Sequence, residues 1–314
     1  MDRERFIRAT EIWVPSADGS TIDLQSGLYG ELDYFAAVSR GMRFDYGEGL
    51  PGKVWETGKP MILRDLANSY FVRKEAAMTE GLSCAVALPT FVEGALASVT
   101  ILFCGDDRFR KGALELWGLR EGQQELSLID GYFGNAAAFE QEARTMGFAR
   151  GSGVPGRVWA SGRPVILTSL AADEGFMRSD AADVLGLDRA VGLPCQSLDG
   201  EPFVLALVSA NGSPVAGRLE HWERQPDGSG FRFRAGYCET ADALHEIHKD
   251  VLIPEDIGPF GRACRRGVAL VDEDLATDVE NVTAVSAVAA GMKSMVVFPL
   301  QGPEHFDGVV AWYF

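Results

Sequence analysis

An internal repeat constrains this chain more than any other feature. Residues 49–63 read GLPGKVWETGKPMIL and residues 153–167 read GVPGRVWASGRPVIL. A weaker third copy, GPFGRACRRGVAL, stands at 258–270, where Gly261 and Gly267 answer Gly52 and Gly58 of the first copy and Gly156 and Gly162 of the second. Upstream, each copy has a Glu-x-Trp: Glu11 and Trp13, Glu115 and Trp117, Glu220 and Trp222. Each then has an aromatic 15 or 16 residues further on: Tyr29, Phe133, Tyr237. Downstream, a glycine opens a strand that ends in proline: Gly81 to Pro89, Gly186 to Pro194, Gly291 to Pro299. A period of roughly 100 residues is the size of a domain, far longer than a solenoid repeat. The chain therefore divides into residues 1–105, 106–212 and 213–314, the last diverged. The boundaries fall in the polar stretches Gly105-Asp106-Asp107 and Asn211-Gly212-Ser213.

Alternation and β-branched runs predict strands in the second copy at 113–117, 126–133, 164–168, 189–195 and 203–209. Between the second and third of these, residues 135–146 are rich in helix formers behind Asn135, a candidate N-cap. Residues 156–161 form a short helix stopped by Gly162 and Pro164, and 177–185 another. Strands joined by hairpins with helices in the crossover specify an α+β domain: an antiparallel sheet packed by helices.

The pattern G-x-[GP]-G-[KR]-x-x-x-x-G-x-P, followed by an apolar strand, resembles the GAF family of sensory domains. It spans Gly49 to Pro60 with Asp65-Leu66, and Gly153 to Pro164 with Leu170. In the third copy Trp gives way to Cys264 and Pro to Phe260. The resemblance implies, for each copy, a sheet of about six antiparallel strands flanked by helices, with a ligand pocket on one face. It implies a non-enzymatic small-molecule sensor. No kinase, cyclase, phosphodiesterase or helix-turn-helix sequence accompanies the repeats, so the output is expected from a separate protein. Domains of this class also keep dimerisation surfaces, so a homodimer is expected, and a ligand-free scaffold for protein–protein contact is an alternative function. A third alternative is methionine sulfoxide reduction through cysteines. Such reductases carry a cysteine just before the motif glycine, where this chain has Pro51, Pro155 and Phe260. Neither the N-K-x-x-F pattern of cyclic-nucleotide binders nor the bilin-attachment cysteine setting is present.

The net charge of −16, from 45 acidic and 29 basic residues, repels phosphate backbones and anionic membrane surfaces. No apolar run approaches the ~18 residues of a membrane span, and the N-terminus lacks a signal-peptide core. Five cysteines without a C-x-x-C pair fit buried thiols in a reduced, cytoplasmic protein.

The resemblance places Trp55 and Trp159 on the helix that borders the pocket, and Tyr29, Phe133 and Tyr237 beside it. These five are the candidate ligand-binding residues, with core packing as the competing role. The glycine-rich blocks at 47–52 and 151–156 lack the fixed ends of a phosphate loop. In copy three, Cys238 stands in place of Gly30 and Gly134, His248 in place of Arg40 and Arg144, and Cys264 in place of Trp159. His245 precedes His248 by three residues, on one helical face. Two Cys and two His would suit Zn²⁺, so Cys238, His245, His248 and Cys264 form a candidate metal set, although their spacing is no standard signature. A single histidine would also serve haem. No cofactor is specified, and no catalytic set emerges.

Overall fold

The computed structural model describes residues 5–105, 111–210, 212–240, 244–277, 282–302 and 305–314. The boundary residues Asp106, Asp107 and Asn211 lie outside them. Repeat 1 runs β1 (Ile7–Pro15), β2 (Thr21–Leu28), α1 (Asp33–Arg40), β3 (Arg43–Asp45), α2 (Gly49–Thr57), β4 (Met61–Leu63), α3 (Lys74–Thr79), β5 (Cys84–Val92) and β6 (Ala95–Cys104). Repeat 2 follows the same plan: β7 (Gly112–Leu119), β8 (Leu126–Tyr132), α4 (Ala137–Thr145), β9 (Gly147–Phe148), α5 (Gly153–Ser161), β10 (Val165–Leu167), α6 (Ser179–Leu185), β11 (Leu187–Cys195) and β12 (Phe203–Ala210). So does repeat 3: β13 (Arg218–Arg224), β14 (Phe231–Cys238), α7 (Leu244–His248), β15 (Leu252–Ile253), α8 (Gly258–Arg266), β16 (Leu270–Asp272), α9 (Val282–Ala289), β17 (Met295–Gln301) and β18 (Phe306–Tyr313).

Each repeat makes one six-stranded sheet, in the order β3-β2-β1-β6-β5-β4 and its counterparts, antiparallel throughout. The chain separates into two compact units, Met1–Val215 and Ala216–Phe314. Periodicity had found five strands per repeat. The sixth (β3, β9 or β15) is only two or three residues long, too short for alternation to register. The α4 N-cap is Ala136, one residue past the expected Asn135.

The motif glycines have a steric cause. A Cβ on Gly52, Gly156 or Gly261 would lie 2.3, 2.1 or 1.8 Å from the carbonyl oxygen of Asp45, Ala149 or Glu255. The first turn of α2, α5 and α8 can approach that backbone only where a side chain is missing. Each helix then ends at a left-handed glycine: Gly58, Gly162 or Gly267.

Within the first unit the two repeats touch through named groups. The Phe6 ring lies against Gly112. Ser83 Oγ is 2.7 Å from the Tyr132 hydroxyl, and the Phe91 amide donates to Gln196 Oε1. The Leu198 amide donates to the Gly58 carbonyl, and Lys59 pairs with Asp199 and Glu201.

Candidate functional site

Residues i and i+2 of a strand share a face. The Glu-x-Trp of β1, β7 and β13 therefore sends both side chains inward, onto the helix-covered side. All six are buried without solvent exposure. In each repeat the indole Nε1 donates to the glutamate two residues before it, at 2.9, 3.0 and 2.9 Å. In all three copies the ladder shifts by one residue just before the tryptophan, and the extra residue, Gln25, Ile129 or Arg234, lies on the neighbouring strand. Opposite the glutamate, the neighbouring strand carries a glycine: Gly27, Gly131 or Gly236. A Cβ there would strike the Tyr29 ring at 2.5 Å or the Phe133 ring at 2.6 Å, so the glycine makes room for the ring two residues on.

A buried carboxylate needs a cation. In repeat 1 it is Arg73, whose Nη1 and Nη2 both donate to Glu11 while Nη1 also donates to Ser39 Oγ. The Tyr29 hydroxyl donates to Glu11 at 3.0 Å. Burial, and then the charge of Glu11, raises that phenol well above its ordinary range. In repeat 2 Arg178 grips Glu115 with the same two-pronged contact. Phe133 and Ala143 stand where Tyr29 and Ser39 stood, so those two hydroxyls are gone.

Repeat 3 solves the same problem with other residues. Thr283 falls where Arg73 and Arg178 stand. The cation is Arg218, from the strand itself, at the register position of Ala9 and Ala113. Its Nε donates to Glu220 at 2.6 Å and its Nη2 to Ser286 Oγ at 2.9 Å. His248 Nε2 lies 2.9 Å from Glu220 and 2.7 Å from Arg218. The Tyr313 hydroxyl donates to Glu220 at 3.0 Å. Burial acts to raise the Glu220 carboxyl, but the bonds from His248 and Trp222 and the Arg218 charge outweigh it and hold it below the ordinary value.

The five aromatics predicted as ligand-binding are thus spread over three separate interiors. Tyr29 and Phe133 sit beside the glutamate centres. Trp55 and Trp159 are half-buried, packed against the core of their own repeat and against Tyr46 and Arg150 respectively. Tyr237 is out of register: with Glu220 opposite Gly236, the position equivalent to Tyr29 and Phe133 is Cys238, and Tyr237 bonds the Ala216 carbonyl. Cys238 therefore does not replace Gly30 and Gly134. His248 likewise takes the inward place of Ser39 and Ala143, rather than that of Arg40 and Arg144.

The four residues named as a metal set are not brought together. His248 belongs to the Glu220 network, whereas His245 is exposed beside Phe233. Cys238 Sγ faces Thr240 and Cys264 Sγ faces the Gly308 carbonyl. Among the described residues no group of three or more His, Cys, Asp or Glu is placed to hold a metal ion. Nor is any described helix long and apolar enough to cross a membrane.

Arg73 and Arg178 were missed from the sequence, although a signal existed. Phe71-Val72-Arg73 and Phe176-Met177-Arg178 repeat a Phe-x-Arg just ahead of the third helix.

The space left beside these centres is small in repeat 2, where a cavity of about 10 Å³ lies against Arg178, Phe176 and Phe148. Repeat 3 carries an open cleft of about 410 Å³ between α8 and the edge strand β16, lined by Pro259, Arg262, Asp272, Glu273, Met295 and Val297 among others. It includes none of the Glu220 network.

No family model and no curated protein matches the sequence. Solved structures do. The nlh2 GAF domain of A. Aeolicus, in an inactive state, is 25% identical over 32% of this chain and 58% of its own length, with a TM-score of 0.26. NreA from Staphylococcus aureus, mutated in its nitrate binding site, is 19% identical over 32% of this chain and 74% of its own, at 0.27. Free methionine-R-sulfoxide reductase from Neisseria meningitidis, in complex with its substrate, is 16% identical over 33% of this chain and 53% of its own, at 0.25. The sheet order, the glycine-proline motif and the placement of the helices make this chain three tandem GAF-like α+β domains.

Proposed function

We propose that the chain is a non-enzymatic small-molecule sensor that signals through a separate output protein, with its ligand sites at the Glu–Trp centres. The carrying observation is the same buried carboxylate–indole pair, on the helix-covered face of the sheet, in all three repeats. The net contribution of such a pair to stability is expected to be small, because replacing a buried ion pair by apolar groups of similar size is often neutral or stabilising, and this favours a use in ligand recognition. Reductase chemistry needs a low-pKa cysteine; burial pushes Cys195 and Cys264 up to about 12, which speaks against those two in that role.

A scaffold whose interiors are filled by its own side chains is the second reading. Its support is the bidentate arginine in repeats 1 and 2 and the cavity in repeat 2, which holds room for about one water. Native mass spectrometry of the protein purified from its own cells, followed by thermal-shift screening of metabolites, separates the two. A small molecule in fixed stoichiometry supports the sensor. An unliganded mass with no shift across the screen overturns it in favour of the scaffold.

A further inference from the structure

In repeats 1 and 2 the cation that meets the buried glutamate does not belong to the sheet. Arg73 and Arg178 are the N-cap residues of α3 and α6. Their side chains reach back into the interior and end among aromatic rings. The Arg73 guanidinium carbon lies 4.6 Å from the Phe35 centroid, 5.1 Å from Phe71, 5.4 Å from Trp13 and 5.5 Å from Phe103. Arg178 lies 3.9 Å over Phe139, with Phe176 and Trp117 at 5.9 and 6.0 Å. A carboxylate fork backed by ring faces is complementary to a planar, delocalised cation, and less so to a compact ammonium. The tethered occupant is imperfect, because Arg73 Nε is buried without a hydrogen-bond partner. Repeat 3 has no such tethered group, since Arg218 is fixed on β13.

On the reading of the Glu–Trp centre as the ligand site, we propose that the Glu11–Trp13 and Glu115–Trp117 cages are guanidinium receptors. Arg73 and Arg178 are ligands supplied by the chain itself, and a small molecule bearing a guanidinium group competes with them. Displacement frees the segment ahead of α3 or α6, where Val72 and Met177 are already exposed. A tethered group acts at a millimolar effective concentration, so a competitor binds the intact protein far more weakly than it binds an emptied cage.

The test uses the full chain with Arg73→Ala, Arg178→Ala, or both. Methylguanidinium is the probe and methylammonium the matched control, read by calorimetry and by the indole signals of Trp13 and Trp117. Each single variant should bind one methylguanidinium at least tenfold more tightly than the wild type, and the double variant two, with methylammonium inert. Adding Glu11→Gln to Arg73→Ala should abolish that site. Equal responses to both cations, or binding that survives Glu11→Gln, would overturn the proposal. If Arg73→Ala does not fold, recovery of its folded circular dichroism spectrum with methylguanidinium supports the proposal, and failure of Arg178→Ala to bind the probe overturns it. Variants that take no probe while the purified wild type carries another small molecule would sink the guanidinium class and leave the sensor reading standing. Variants that bind the probe while no metabolite binds the wild type would do the reverse.

Discussion

Glu11 is a carboxylate held wholly out of water, and four neighbours answer it: both terminal nitrogens of Arg73, the Trp13 indole and the Tyr29 hydroxyl. Removing one partner leaves a bare buried charge. Glu11→Ala is therefore expected to lose about 3–5 kcal/mol of stability in chemical denaturation, whereas the paired change Glu11→Leu with Arg73→Met should lose less than either single substitution. A single-variant loss below about 1 kcal/mol would mean that the pair is not buried as described. Glu220 gives a pH test. Its folded pKa is held below the unfolded one, so its contribution is full above about 4.5 and fades as pH falls through the folded value. Thermal melts of Glu220→Gln should show a shallower loss of stability below that pH than the parent. At this scale the sequence was half legible. Glu-x-Trp stood out as a landmark, but spacing alone does not reveal that its two members bond each other, and the arginines lie about 60 residues downstream, where only folding unites them. Copy comparison by residue count also slipped by one at Tyr237, because a count along the chain does not see which residues face each other across a sheet.

Elements were easier to read than their edges. β6 and β12 are apolar almost without break, LASVTILFC and FVLALVSA, because both of their faces are buried, and such runs announce strands whatever the register. The short helix with its glycine stop was equally plain. The use of its internal glycine was not, since the carbonyl it must clear belongs to β3 or the turn after β9, elements too brief to predict. Gly156→Ala should cost about 1–3 kcal/mol in urea unfolding, the range for overpacking a tight interior. A neutral result would show that α5 has room to retreat from Ala149.

For the whole molecule, repeat number was written in the sequence, whereas the pairing of the first two repeats into one compact unit was not. It depends on contacts such as Phe6 against Gly112 that no pattern encodes. Residues 1–215 should melt in a single transition reported alike by Trp13 and Trp117. Lys59→Ala should move that transition by no more than about 1 kcal/mol, because its ion pairs with Asp199 and Glu201 are exposed. Two separate transitions would dissolve the unit. The third repeat's exchange of counter-ion also has a consequence for grafting. Arg73 answers Glu11 from outside the sheet, whereas Arg218 answers Glu220 from the strand itself. Exchanging only the segment that opens the third helix between repeats 1 and 3 would leave Glu11 without its cation and give Glu220 two.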